Sequence, residues 1–237
     1  VFLMEAMGRH TGWIALAGSL ILDQLPDTPL LTLFAERPFD YDAFLPRVRE
    51  CIDRHGYCVI VVSEGIRTPD GDFFAVARCN SEHIGWSQMG GAAMKLADWL
   101  RRDLDTKIHA AVPDYLQRSA AHLVSLTDWE MAFEVGRTAV EAAAAGRNGV
   151  LPVIHKTADA PFEWDTRLIE IEAVADLERQ VPDDFITLEG YHATSKALEY
   201  LRPLVAGERP VPWHHGLPDL RPVSFPPVPK KLPGWSE

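Results

Sequence analysis

The sequence predicts an α/β fold built on a mainly parallel sheet. Two observations carry that reading. Short runs rich in branched apolar residues, such as Tyr57–Val62 (YCVIVV), have the length and continuous hydrophobicity of strands buried on both faces. Between them lie segments with apolar residues at helical spacing, and strands joined through helices of this length favour parallel pairing with right-handed crossovers.

The elements follow in order. Residues 1–6 open as a strand that breaks at Met7-Gly8-Arg9. A helix is expected from a Thr11 cap to about Asp23, with Trp13, Leu16, Ala17, Leu20 and Ile21 on one face, ended by Pro26 and Pro29. Leu30–Ala35 reads as a buried strand, Tyr41–His55 as an amphipathic helix stopped by Gly56, and Tyr57–Val62 as the next strand. Residues 66–81 form a loop whose TPDGD cluster (68–72) is a turn, since it lacks the alternating ligands and distal glutamate of a calcium loop. A helix is expected over Gly85–Leu104, packing Met89, Ala92, Ala93, Leu96 and Trp99, with Gly90-Gly91 inside it marking a close backbone approach. Lys107–Val112 is a strand, and Thr127–Gly146 an alanine-rich helix with Thr127 as N-cap and Gly146 just past its end. Val150–Ile154 is a strand, Phe162–Val174 an extended or partly helical piece, and Ala193–Val205 the last clear helix. Residues 209–237 are proline-rich and read as an extended tail, with Trp213 and Trp235 on the surface or at an interface.

Composition narrows the function classes. A length of 237 residues, 47% hydrophobic and 24% charged, suits a globular protein with a sizeable core. The formal net charge of -11 argues against general nucleic-acid binding, yet leaves room for an anionic metabolite gripped by a few arginines. Cys51, Cys58 and Cys79 are scattered without C-x-x-C spacing, so neither a disulfide framework nor a thiolate zinc site is implied, and a reducing cytoplasm fits. The longest apolar run, Trp13–Leu22, is about half of the roughly 20 residues needed to cross a bilayer, so no membrane partner is expected.

Three junctions carry candidate chemistry. At Met7-Gly8-Arg9, Gly8 permits close backbone approach, Arg9 offers a planar donor fork, and free N–H groups follow at a helix start, a combination suited to a phosphate or sugar phosphate. A plain turn between buried elements has the same local pattern. Glu64, in Ser63-Glu64-Gly65, stands at a strand's carboxyl end, where ligands of parallel sheets gather; its other reading is a solvated loop glutamate. In Asp114-Tyr115-Leu116-Gln117-Arg118, Tyr115 supplies a ring with a hydroxyl tip and Arg118 a guanidinium able to grip phosphate bidentately. Lys107 and His109 are further candidate cations.

These motifs and their order, MGRHTGWIALA, then SEG, then DYLQR, resemble the latter part of the phosphofructokinase family, and the ending VPKKLPGW resembles its pyrophosphate-dependent members. The resemblance implies a phosphofructokinase-like three-layer α/β fold, incomplete at its N-terminus. Its implied parts are a sugar-phosphate lobe over 1–112, a continuation over 113–208 and a tail over 209–237. By the same resemblance Met7, Gly8, Arg9, Glu64, Tyr115 and Arg118 bind fructose 6-phosphate, Glu64 by accepting from sugar hydroxyls. The implied reaction phosphorylates the 1-hydroxyl, with pyrophosphate as donor or, alternatively, ATP. It also implies Mg²⁺ in the full-length enzyme and a homo-oligomer, dimer or tetramer. The family's glycine-rich donor loop, general base and Mg²⁺-associated aspartate have no counterpart here, so no catalytic or metal residue is assigned and this segment alone is expected to be inactive. A non-catalytic sugar-phosphate-binding module is the reading from another class.

Overall fold

The computed structural model describes residues 1–77, 88–219, 224–227 and 229. Its centre is a four-stranded, all-parallel sheet of β1 (Phe2–Ala6), β2 (Leu30–Leu33), β3 (Val59–Ser63) and β6 (His109–Ala111), in the order β2-β3-β1-β6. The register aligns Ala6 with Ser63 and Met4 with Ala111, so the carboxyl ends of β3, β1 and β6 share one edge. β2 and β3 are nearly or wholly buried along their lengths, as their unbroken apolar runs require.

Helix α1 (Trp13–Ala17) is shorter than expected. Gly12, not Thr11, occupies the cap, its amide donating to Glu36 Oε1, while the Thr11 hydroxyl donates to the Gly8 carbonyl in the preceding turn. From Gly18 to Asp23 the chain tightens into a 3₁₀ helix, whose three residues per turn rotate the apolar face. Leu16 is buried and Trp13, Ala17 and Leu20 pack beside it, while Ile21 turns out to solvent. Helix α2 (Tyr41–His55) matches expectation: Asp40 caps it by accepting from the amides of Asp42 and Ala43, and it stops at Gly56. The TPDGD segment is a turn, closed by Gly71 N–H donating to the Thr68 carbonyl.

Two short strands, β4 (Val76–Ala77) and β5 (Gln88–Met89), pair antiparallel. Helix α3 (Ala92–Asp103) begins after Gly90-Gly91 rather than at Gly85; both glycines adopt positive φ and sit outside the helix, and residues 85–87 and Cys79 lie outside the described residues. Ala92, Ala93, Leu96 and Leu100 pack α3 against the sheet, and Phe39, Phe44 and Phe74 fill the layer with edge-on ring contacts. Cys51 and Cys58 are free thiols, and burial pushes the Cys58 thiol strongly upward.

Helix α4 (Leu116–Ser119) is a single turn, and α5 (Leu126–Ala144) is capped by Ser125, not Thr127. Ser125 Oγ accepts from the Asp128 amide and donates to the Leu204 carbonyl, whereas Thr127 stands inside the first turn. Strands β7 (Val150–Asp159) and β8 (Phe162–Glu170) form one long hairpin, and a 3₁₀ turn over Ile171–Ala173 completes the mixed character expected of 162–174. Helix α6 (Ser195–Leu201) runs into a 3₁₀ turn at Arg202–Val205, and its Ala197 and Leu201 pack with Phe185 on Leu16 and Phe34. The tail makes a small hairpin of β9 (Trp213–His214) and β10 (Leu217–Pro218) with Trp213 exposed; Trp235 lies outside the described residues. No helix among the described residues is long and apolar enough to cross a membrane.

The cap assignment is open to a direct comparison. Ser125→Ala is expected to cost about 1 kcal/mol in urea unfolding, the usual loss for an N-cap. Thr127→Ala is expected to cost nothing, and the reverse ranking would restore Thr127 as the cap.

Candidate functional site

The carboxyl edge of the sheet assembles all three junctions singled out above. β1 delivers Met7-Gly8-Arg9, β3 delivers Glu64-Gly65, and β6 leads through Pro113 into the turn bearing Tyr115 and Arg118. Because these strands are adjacent and parallel, their following loops emerge side by side, the arrangement that creates ligand crevices in open α/β sheets.

Glu64 locks the first two loops together. Its Oε1 accepts from the amides of Gly8 at 3.0 Å and Arg9 at 2.8 Å. Carboxylates offer acceptors only, so two converging N–H groups suit one oxygen well. Next to it the backbones touch: a Cβ on Gly65 would lie 1.4 Å from the Arg9 carbonyl oxygen, and one on Gly8 would lie 2.2 Å from the Thr11 carbonyl oxygen. Arg9 itself is held at φ 54, a conformation that non-glycine residues adopt rarely. Beneath Gly8 the fully buried Ser63 hydroxyl has no protein partner among the described residues.

Glu64 is therefore placed where expected, with one oxygen already engaged by the loop. Met7 also contributes through its backbone, since its amide donates to Gln117 Oε1 at 3.1 Å. Tyr115 is 66% exposed, and the Arg118 guanidinium carbon lies 5.6 Å from its ring centre, so both side chains face solvent as one amphipathic unit. Asp114, at φ 46, makes the sharp turn that starts this unit. Lys107 and His109 do not join it: His109 pairs with Phe2 at the amino end of the strands, and Lys107 lies still further from the carboxyl edge.

Sequence reasoning missed two glutamates that shape this edge. Glu5, 3% exposed in the middle of the sheet, accepts from the Gly91 amide at 2.9 Å and the Ala93 amide at 2.8 Å, and so caps α3 from β1. Glu36 Oε1 accepts from the amides of Gly12 and Val181, both at 2.9 Å. A lone glutamate inside an apolar strand was the available signal for Glu5, because a buried carboxylate requires donors. Gln117, within DYLQR, also belongs to this edge, where it bonds the Met7 amide and the Glu5 carbonyl.

A second concavity, of about 1080 Å³, lies among α5, the β7–β8 hairpin and α6, and none of Met7, Gly8, Arg9, Glu64, Tyr115 or Arg118 lines it. Its cations are largely matched: Lys156 pairs with Asp159, Lys196 with Asp184 and Arg202 with Asp23. Among the described residues no group of three or more His, Cys, Asp or Glu side chains is arranged to hold a metal ion.

Comparison with known proteins places this geometry in context. A family profile described as "Phosphofructokinase" matches residues 1–143. Over 236 residues the chain is 43% identical to a pyrophosphate–fructose 6-phosphate 1-phosphotransferase of Xanthomonas campestris pv. campestris, covering 99% of this chain and 56% of that protein. The enzyme of the same name from Methylococcus capsulatus is 44% identical over 233 residues, covering 98% of this chain and 55% of its own length. The solved structure of a pyrophosphate-dependent phosphofructokinase from Nitrosospira multiformis superposes with a TM-score of 0.85 at 40% identity, over 99% of this chain and 55% of that one. The chain thus spans about half the length of these relatives.

Two substitutions test the lock. Glu64→Ala strands two half-buried amides and is expected to cost about 2 kcal/mol in urea unfolding, while Glu64→Gln, which keeps an acceptor oxygen, recovers most of that loss. Gly65→Ala is expected to cost about 3 kcal/mol, because the clash is with backbone that no rotamer change relieves. Wild-type stability in either alanine variant would dismiss the lock.

Proposed function

Because the chain belongs to the phosphofructokinase family, we propose that it is the sugar-phosphate-binding part of a pyrophosphate-dependent 6-phosphofructokinase. In that reading the full-length protein transfers a phosphoryl group from pyrophosphate to the 1-hydroxyl of fructose 6-phosphate. The observation that carries it is the convergence of Met7-Gly8-Arg9, Glu64 and Tyr115–Arg118 on one carboxyl edge, with Glu64 joining the first two groups. The similarity to enzymes whose names specify pyrophosphate supports the donor.

The chemistry divides simply among the residues. Arg118 and Arg9 supply guanidinium forks for the 6-phosphate, and the Tyr115 ring covers the sugar flank. Glu64 orients the Gly8–Arg9 backbone through Oε1 and presents its other oxygen as an acceptor for sugar hydroxyls. Fixing the acceptor sugar lowers the barrier by placing its hydroxyl in line with the donor, and positioning contributes much of the rate in phosphoryl transfer. None of these residues is assigned as the general base. Mg²⁺ is assigned no ligand among these residues, and no step is routed through it.

Purified full-length protein is expected to form fructose 1,6-bisphosphate with pyrophosphate and not with ATP, whereas residues 1–237 alone give no turnover. Arg118→Ala is expected to lower kcat/KM for fructose 6-phosphate by about 1.5–3 kcal/mol, the range for losing a hydrogen bond to a charged group. An unchanged kcat/KM in a folded Arg118→Ala protein would remove Arg118 from the site, and turnover with ATP alone would reverse the donor.

A further inference from the structure

β1 loses its neighbour before it ends. Backbone groups of its odd-numbered residues face β6, as the His109 amide donating to the Val1 carbonyl shows, while the Glu64 amide donates to the Ala6 carbonyl on the β3 side. Pairing with β6 stops at Met4–Ala111, and the chain then turns away through Pro113 and Asp114. The next two groups on that side, the Glu5 carbonyl and the Met7 amide, would be left without a ladder partner. Gln117 fills the place: its Nε2 donates to the Glu5 carbonyl at 3.4 Å and its Oε1 accepts from the Met7 amide at 3.1 Å. The side-chain amide stands in for a peptide unit, offering one donor and one acceptor where β6 would have supplied them.

Gln117 lies between Leu116 and Arg118 on the single turn of α4, which shows no buried residue of its own. The side chains of Tyr115 and Arg118 are exposed, and the Gln117 amide hydrogen-bonds the turn that bears them to the end of β1, where the Met7-Gly8-Arg9 loop begins. Its neighbours on the β1 side matter equally. Glu5 holds the start of α3, and Glu64 holds Gly8 and Arg9, so the strand end to which Gln117 attaches is itself tied on either side of Met7.

We propose that Gln117 is a positioning residue that sets Arg118 and Tyr115 at a fixed distance from the Met7-Gly8-Arg9 loop, and so determines affinity for the sugar phosphate without touching it. The proposal rests on the sugar-phosphate reading given above. Gln117 acts on the acceptor sugar only, because its contacts end at the sheet edge and the tie orders groups assigned to the 6-phosphate.

The test is steady-state kinetics on the full-length protein with Gln117→Leu, which keeps the side-chain bulk and removes both bonds, and Gln117→Glu, which keeps the acceptor for the Met7 amide. The KM for fructose 6-phosphate is expected to rise about tenfold in Gln117→Leu, as for two neutral hydrogen bonds, and by a smaller factor in Gln117→Glu, with kcat and the KM for pyrophosphate held within about threefold. In an Arg118→Ala background the effect of Gln117→Leu is expected to shrink to less than about threefold, since misplacing an absent guanidinium has no consequence. A sugar-phosphate KM unchanged in both Gln117 variants overturns the proposal, as does a tenfold rise that persists in the Arg118→Ala background. If Gln117→Leu does not fold, the Gln117→Glu variant, alone and with Arg118→Ala, decides by the same criteria. Arg118→Ala alone separates the two levels: if it leaves the sugar-phosphate KM unchanged, the underlying site reading fails, and if it raises that KM while the Gln117 variants do not, only the positioning role fails.

Discussion

Carboxylates that grip backbone amides hold the carboxyl edge of the sheet together. Glu5, Glu36 and Glu64 lie on or just beyond β1, β2 and β3, and each accepts two backbone N–H groups from segments distant in sequence. Hydrogen bonds to an ionised acceptor contribute about 1.5–3 kcal/mol each, more than neutral ones, so three such clamps are strong enough to fix loop positions. The cost is desolvation, met almost fully at Glu5, whose two oxygens each have a donor. Glu36 meets it only in part, leaving a buried Oε2 without a protein partner among the described residues.

Of the three, Glu64 governs the candidate site most directly. Its hold on Gly8 and Arg9 requires the SEG and MGR backbones to approach so closely that Gly65 admits no Cβ. That approach in turn sets Arg9 in a left-handed conformation and leaves the Thr11 hydroxyl turned back on the Gly8 carbonyl.

Much of this was legible in the sequence. The strand–helix alternation, the bounds of α2 and the three junctions can be read from apolar periodicity and from turn residues, which act locally. What escaped reading depends on contacts distant in sequence. Ser125 outranks Thr127 as a cap because the Leu204 carbonyl lies beside its hydroxyl, and Gly90-Gly91 falls outside α3 because Glu5, 86 residues earlier than Gly91, holds the helix start. Gln117 passed unassigned for the same reason: its partners are the last ladder groups of β1, 110 and 112 residues away. Glu64 was placed at the right strand end, but its engagement with the Gly8 and Arg9 amides depends on a loop packing that no local pattern encodes.

The most direct measurement is hydrogen–deuterium exchange of the full-length protein with and without saturating fructose 6-phosphate. New protection is expected in the segments 7–12, 63–67 and 113–119, the three loops at the carboxyl edge. Protection confined to the walls of the concavity between α5 and α6, around Met131, Lys196 and Tyr200, with none at the three loops, would contradict the placement of the site.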